Sequence, residues 1–306
     1  MRLAAIDIGS NAARLLISEV RINNQDKPEF NKLSLVRVPL RLGFDVFENG
    51  NISEDKIEMF IKTIKAYKFL LDVYEVKDFK ACATSAMRDA INAKEIIDRI
   101  EAETGITITV ISGKDEASFI YDNHIAENMN DEDSYLYIDV GGGSTELTYF
   151  SDGKLIFKES FNIGTIRLLK NQVSEKEWDD MKDFIRKNTT GYHHVTAIGS
   201  GGNINKVFSL SKRKEGKPLS LQLLRDYYKE FSNLSLAQRI SMYRLREDRA
   251  DVLVPALLIY VNVMRWADAE EIYVPKIGLA DGLIQSLYDE ITSQPGETSK
   301  TSYVSK

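Results

Sequence analysis

An α/β protein built from two similar domains is the fold this sequence predicts. Three observations carry it. Strand-like and helix-like stretches alternate along the chain. A strand that ends in an acid and runs into a glycine turn occurs twice. Ala5-Ile6-Asp7-Ile8-Gly9-Ser10-Asn11 is echoed by Tyr137-Ile138-Asp139-Val140-Gly141-Gly142-Gly143 at a constant offset of 132 residues, and self-similarity at a fixed offset marks duplicated units. The 306 residues also exceed what one core usually holds. Domains are expected over 1–127 and 128–292, joined at the polar, acidic 128–133, with a ligand cleft between them.

The elements follow in order. Leu3–Ile8 and Ala13–Ile22 are apolar strands across the turn Gly9-Ser10-Asn11, and Leu33–Leu42 is a third. Ser53 opens a helix whose apolar residues Ile57, Phe60, Ile61, Ile64, Tyr67 and Leu71 share one face. Phe79–Thr84 is a strand, Ala90–Glu103 a helix stopped by Gly105, and Ile106–Ile111 a β-branched strand. A helix is expected over Asp115–Glu127. The second half repeats the pattern with strands at Tyr137–Val140, Glu146–Phe150 and Lys154–Ser160. Helices follow near Thr165–Lys170 and Glu175–Lys187, then a strand over His194–Ile198 ending in Gly199-Ser200-Gly201-Gly202. Helices at Ile204 onward, Leu221–Phe231, Asp248–Trp266 and Leu279–Ile291, with a strand at Glu271–Val274, complete the order. The last helix is expected to pack back on the first domain, and 293–306, rich in Ser, Thr and Lys, reads as a disordered tail.

Composition narrows the function. A net charge of −6 argues against a general DNA-binding role, although a local basic cleft fits on an acidic protein. The single cysteine, Cys82, allows neither an internal disulfide nor a thiolate zinc site, which fits a reducing, cytoplasmic setting. Asp7 interrupts the first apolar run, so no signal peptide is read there. Val252–Ala267 contains Pro255, Asn262 and Arg265 and reads as a buried helix, with no membrane role.

The chemistry-bearing residues gather at the turns. Consecutive amides in a glycine turn form a concavity that attracts anions. Asp139 and Glu146 flank the Gly141–Thr145 turn and could hold a divalent cation bridging to such anions, although each strand-end acid also caps its own turn. Arg14, Arg41 and Arg88 offer planar donor forks for phosphate. Glu116 opens a helix after Ser112-Gly113-Lys114-Asp115, where a first-turn acid is ordinary. The P-loop, the dinucleotide fingerprint and the serine-hydrolase elbow are all missing, and His124, His193 and His194 have no metal-ligand spacing.

Together these segments resemble the exopolyphosphatase/guanosine pentaphosphate phosphohydrolase (Ppx/GppA) family, of the short two-domain type. The resemblance is carried by Ala5–Asn11, Ala83-Thr84-Ser85-Ala86-Met87-Arg88-Asp89-Ala90, Ile111-Ser112-Gly113-Lys114-Asp115-Glu116-Ala117, Ile138–Glu146, Asn162-Ile163-Gly164-Thr165, Ile198–Gly202 and Arg246–Asp281. It implies two ribonuclease-H-like, actin-like ATPase domains with mixed five-stranded sheets flanked by helices. It implies Glu116 as the base that activates water, with Glu146 as a second catalytic glutamate. Asp139 and Glu146 are the implied ligands of Mg2+. Ser10, Asn11, Arg14, Arg88, Gly141, Gly142, Gly143, Ser144, Thr145 and Gly201 are the implied phosphate contacts. The implied substrate is inorganic polyphosphate or pppGpp, and the implied assembly a homodimer. Ala12 stands where many relatives carry Ser or Thr, and a chain of the short type is expected to grip very long polyphosphate less well.

Overall fold

The computed structural model describes residues 1–121, 133–191, 194–275 and 278–293. The first part contains β1 (Arg2–Ile8), β2 (Ala13–Ile22), β3 (Pro28–Val38), α1 (Leu42–Asn49), α2 (Glu54–Val73), β4 (Asp78–Ala83), α3 (Ser85–Asp89), α4 (Ala93–Thr104), β5 (Thr109–Val110) and α5 (Gly113–Tyr121). Then come β6 (Ser134–Val140), β7 (Thr145–Ser151), β8 (Lys154–Phe161), α6 (Thr165–Leu169), α7 (Glu175–Thr189), β9 (Val195–Ser200) and α8 (Gly202–Ser211). The remainder is β10 (Leu219–Ser220), α9 (Leu221–Ser232), α10 (Leu236–Tyr243), α11 (Glu247–Ala250), α12 (Leu253–Trp266), β11 (Glu271–Tyr273) and α13 (Leu279–Ser293).

Both sheets are mixed and share one topology. The first runs β3-β2-β1-β4-β5, and the second runs β8-β7-β6-β9-β11 with β10 added at the edge. In each, two antiparallel hairpin pairings precede a parallel crossover, so β1 pairs in parallel with β4, and β6 with β9. The second sheet thus repeats the strand order and strand directions of the first. A core of Ile6, Leu15, Phe60 and Tyr67 lies under one face of the first sheet, and one of Leu136, Leu147, Leu257 and Tyr260 under the second. The other face of the first sheet is covered by α13, whose Leu283, Ile284 and Leu287 pack on Leu3, Ala5 and Leu16. Among the described residues no helix is long and apolar enough to cross a membrane.

Several expected elements differ. The second sheet has six strands and not five, because the two residues after Pro218 pair with β11. The third strand ends at Val38, before Pro39, which has no N–H to donate to a ladder. Arg41 then adopts a left-handed backbone and Leu42–Asn49 is helical. Only Thr109–Val110 of the expected 106–111 strand pairs. The 248–266 helix breaks after Ala250, and Pro255 falls in the first turn of α12, where a missing N–H is harmless. Helix α10, which the apolar spacing does not predict, is opened by a capping box, Ser235 with Gln238. The continuation of α5 to Glu127, the junction at 128–132 and the tail at 294–306 lie outside the described residues.

Candidate active site

One pocket is walled by all three glycine turns. Strand alternation explains why. Each turn follows a strand at the centre of its sheet, so Gly9-Ser10-Asn11, Gly141-Gly142 and Gly201-Gly202 project from sheet edges toward the same space. The turns meet closely. A Cβ on Gly143 would lie 2.5 Å from the Phe47 ring and 2.6 Å from Ser85 Oγ, so only glycine lets this loop approach α1 and α3. Gly201 has φ +94, which favours glycine in itself, and a Cβ there would meet Asp139 Oδ1 at 2.7 Å.

Three carboxylates converge at the pocket. A ligand oxygen from each of Glu116, Asp139 and Glu146 lies within 4.8 Å of the others. Asp139 and Glu146 are directly opposed in the β6–β7 ladder. Glu146 is 2% exposed; its Oε1 accepts from Ser160 Oγ at 2.9 Å and its Oε2 has no partner. Glu116, at the start of α5, is also buried, and Arg88 Nη1 donates to its Oε2 at 3.1 Å. Arg88 is held in turn by Ile111 O at 2.8 Å and reaches Ser144 Oγ at 3.3 Å. Burial pushes Glu116 well above the usual carboxylate range, and the charge of Glu146 adds to it against Arg88. Burial raises Glu146 too, with the charge of Asp139 adding to it. Asp139 is pushed up to about 6, by burial first, with Arg14 opposing. Like charges opposed across a ladder destabilise it unless something neutralises them. An orphaned buried carboxylate oxygen beside two further carboxylates is a hard-cation donor set, and the residues fit a divalent metal.

The same pocket also has basic walls. Arg14, Arg37 and Arg249 all line the pocket. Arg14 Nη1 donates to Asp7 Oδ2 at 2.7 Å, and Arg37 pairs with Asp248. Among the described residues Arg249 has no carboxylate within ion-pair reach. Burial, then the charges of Arg37 and Arg14, push its guanidinium down to about 9. A crowded, unneutralised guanidinium is suited to an anion.

Residues 20–291 match the profile of the Ppx/GppA phosphatase family. The chain belongs to the Ppx/GppA phosphatase family. A bifunctional 3-dehydroquinate synthase/phosphatase of Fusobacterium nucleatum is 36% identical over 238 residues, which cover 69% of this chain and 34% of that protein. Exopolyphosphatase 1 of Mycobacterium tuberculosis is 24% identical over 311 residues, 93% of this chain and 87% of its own. The crystal structure of a Ppx/GppA family member from Aquifex aeolicus superposes with a TM-score of 0.73 at 27% identity, covering 95% of this chain and 98% of that one.

Within this Ppx/GppA architecture the residues expected from sequence separate into groups. Ser10, Asn11, Arg14, Glu116, Asp139, Gly141, Gly142, Ser144 and Gly201 line the pocket. Arg88 and Glu146 stand behind it, in contact with Glu116 and with Ser160 respectively. Gly143 packs on Phe47 and Ser85. Thr145 is fully buried, and its hydroxyl donates to Ile163 O at 2.5 Å. Ser10 Oγ lies 2.7 Å from Ser85 Oγ, while Asn11 Nδ2 donates to Asp248 O at 3.0 Å, leaving Asn11 Oδ1 without a partner. Sequence reasoning missed Arg37, Arg249 and Asn203 as pocket residues. Arg41, expected as a candidate phosphate contact, pairs instead with Asp251 and stacks 3.9 Å over Phe44.

Proposed function

We propose that the protein is an exopolyphosphatase, which hydrolyses the terminal phosphoanhydride of inorganic polyphosphate, short chains above all, and releases orthophosphate. The observation that carries this reading is the meeting of Glu116, Asp139 and Glu146 at a pocket that Arg14, Arg37 and Arg249 also line. Such a pocket has a place for a water to be activated and a place for a polyanion to be held. Glu116 accepts the proton of a water aligned with the terminal phosphorus. The water oxygen bonds to that phosphorus as the bridging P–O bond breaks, and the shortened chain leaves with the bridging oxygen. Arg88 orients Glu116 from behind, and the turn amides face the transferred group. Arg14, Arg37 and Arg249 hold the next phosphates. Asp139 and Glu146 would hold a divalent cation, magnesium in this proposal, which supplies charge neutralisation to the phosphoryl oxygens. A cytoplasmic location and a homodimer complete the proposal on the strength of the family resemblance.

The test is phosphate release by the purified protein in magnesium from short polyphosphate, long polyphosphate and pppGpp. Release fastest from short polyphosphate is expected. Release from pppGpp alone would move the assignment to a pentaphosphate phosphohydrolase. Tight binding of polyphosphate without turnover would make the protein a sensor and overturn the hydrolase.

A further inference from the structure

Helix α6 holds the glycine turn from behind. Its amides take the turn's carbonyls in succession, with Thr165 N donating to Gly141 O at 3.1 Å and Ile166 N to Gly142 O at 2.8 Å. The third carbonyl, Gly143 O, is taken by a side chain, Arg167 Nε, at 2.7 Å. With its carbonyls turned toward α6, the loop keeps its Gly142, Gly143 and Ser144 amides free of backbone acceptors among the described residues. Those amides are the anion-facing side of the turn.

Arg167 also reaches across the cleft. Its Nη2 pairs with Asp89, and its guanidinium lies 4.2 Å over the Phe47 ring of α1. Asp89 is the last residue of α3 and adjoins Arg88. Arg88 in turn donates to Glu116 and to Ser144 in the turn itself. One planar fork therefore ties the loop of the second sheet to the short helix that carries the base's partner. A lysine has a single ammonium and no such fork. The Arg167 side chain is 14% exposed and Asp89 40%, and neither residue lines the pocket.

We propose that Arg167 is a positioning residue, which aligns the Gly141–Ser144 amides and the Arg88–Glu116 pair only when α3 is docked on the glycine turn. The proposal rests on the hydrolase reading given above. Alignment of this kind acts on the chemical step more than on ground-state binding, because small displacements of a near-attack geometry are costly.

The experiment measures kcat and KM on short polyphosphate, together with thermal melts, for wild type, Arg167→Ala, Arg167→Lys, Asp89→Asn and the Arg167→Ala/Asp89→Asn double variant. Expected for Arg167→Ala is a kcat loss of roughly 10- to 100-fold with KM changed by less than about 3-fold. Arg167→Lys is expected to recover little of it, and Asp89→Asn to lose less. The double variant should be no slower than Arg167→Ala alone, since both act through one contact. A lower melting temperature with unchanged kcat in folded Arg167→Ala would overturn the proposal. If that variant does not fold, Asp89→Asn decides alone, and wild-type kcat in it would overturn the proposal equally. A wild type that releases no phosphate removes the hydrolase reading and this proposal with it. An active wild type with an indifferent Arg167→Ala removes only the second.

Discussion

The two hairpins that open the two sheets share one plan and differ in charge at the ladder position beside the turn. In the first, Asp7 stands opposite Arg14; in the second, Asp139 stands opposite Glu146. The offset that relates Asp7 to Asp139 also relates Arg14 to Glu146. One copy thus closes its acid with a cation of its own, at 2.7 Å. The other opposes acid to acid and leaves Glu146 Oε2 without a protein partner. The first hairpin is electrostatically complete, whereas the second requires a charge from outside the chain. The same strand plan serves in both sheets, and this ladder position is one place where they part.

The largest effect that would sharpen the contrast comes from Glu116, the acid facing the second hairpin. Glu116→Gln is expected to lower phosphate release by roughly 10²- to 10⁴-fold, the usual worth of a general base. Activity within a few-fold of wild type would remove Glu116 from that role. Next, Arg14→Ala leaves Asp7 buried and unpaired. A fully buried pair broken this way costs about 3–5 kcal/mol. Arg14 keeps 30% of its side chain exposed, so roughly 1–3 kcal/mol is expected in denaturant melts. The equivalent change in the other hairpin should have the opposite sign. Glu146→Gln relieves a repulsion, so the cation-free protein should melt at the same temperature or higher while losing its response to magnesium. Equal destabilisation by the two variants would abolish the contrast.

A smaller effect is in pH, where burial raises Asp7 of the first hairpin as well as the acids of the second. Asp139 titrates at about 6 in the folded chain against an ordinary 3.8, and Glu146 is raised likewise. Between those values the folded chain binds more protons than the unfolded one. Stability without cation therefore falls as pH rises through this window. A cation competes with the protons, so its contribution grows as pH rises. Thermal melts with and without magnesium should show a larger shift at pH 8 than at pH 5.5. A shift independent of pH would mean that the acid pair is not where the cation binds.

Much of this was legible in the chain. The duplicated Asp-x-Gly turn announced two similar sheets, because period-two burial and a glycine turn are local signals. The carboxylates of the site followed from strand-end acids and the family resemblance. The arginine wall did not. Arg37 lies on the edge strand β3, where an arginine ordinarily faces solvent, and it pairs with Asp248 of α11. Arg249 reads as one more charge in a helix, and only the fold packs it on Gly202, where a Cβ would meet its guanidinium at 2.5 Å. Thr145 was drawn into the phosphate loop by its position after Ser144, yet strand pleating turns it inward to Ile163 O. Ladder neighbours in sequence were readable; partners brought together by the cleft were not.

Gly282 faces the backbone of Phe119 so closely that a Cβ would lie 1.7 Å from the Phe119 carbonyl oxygen. This contact clamps α13 onto α5, the helix that presents Glu116. On a ribosome, then, the first sheet emerges with Leu3, Ala5 and Leu16 bare, and they stay bare until Leu279 and the residues after it are made. Helix α5 gains its roof only once α13 has been made. Nascent chains arrested before Leu279 should accordingly release no phosphate, however completely the first hairpin has formed.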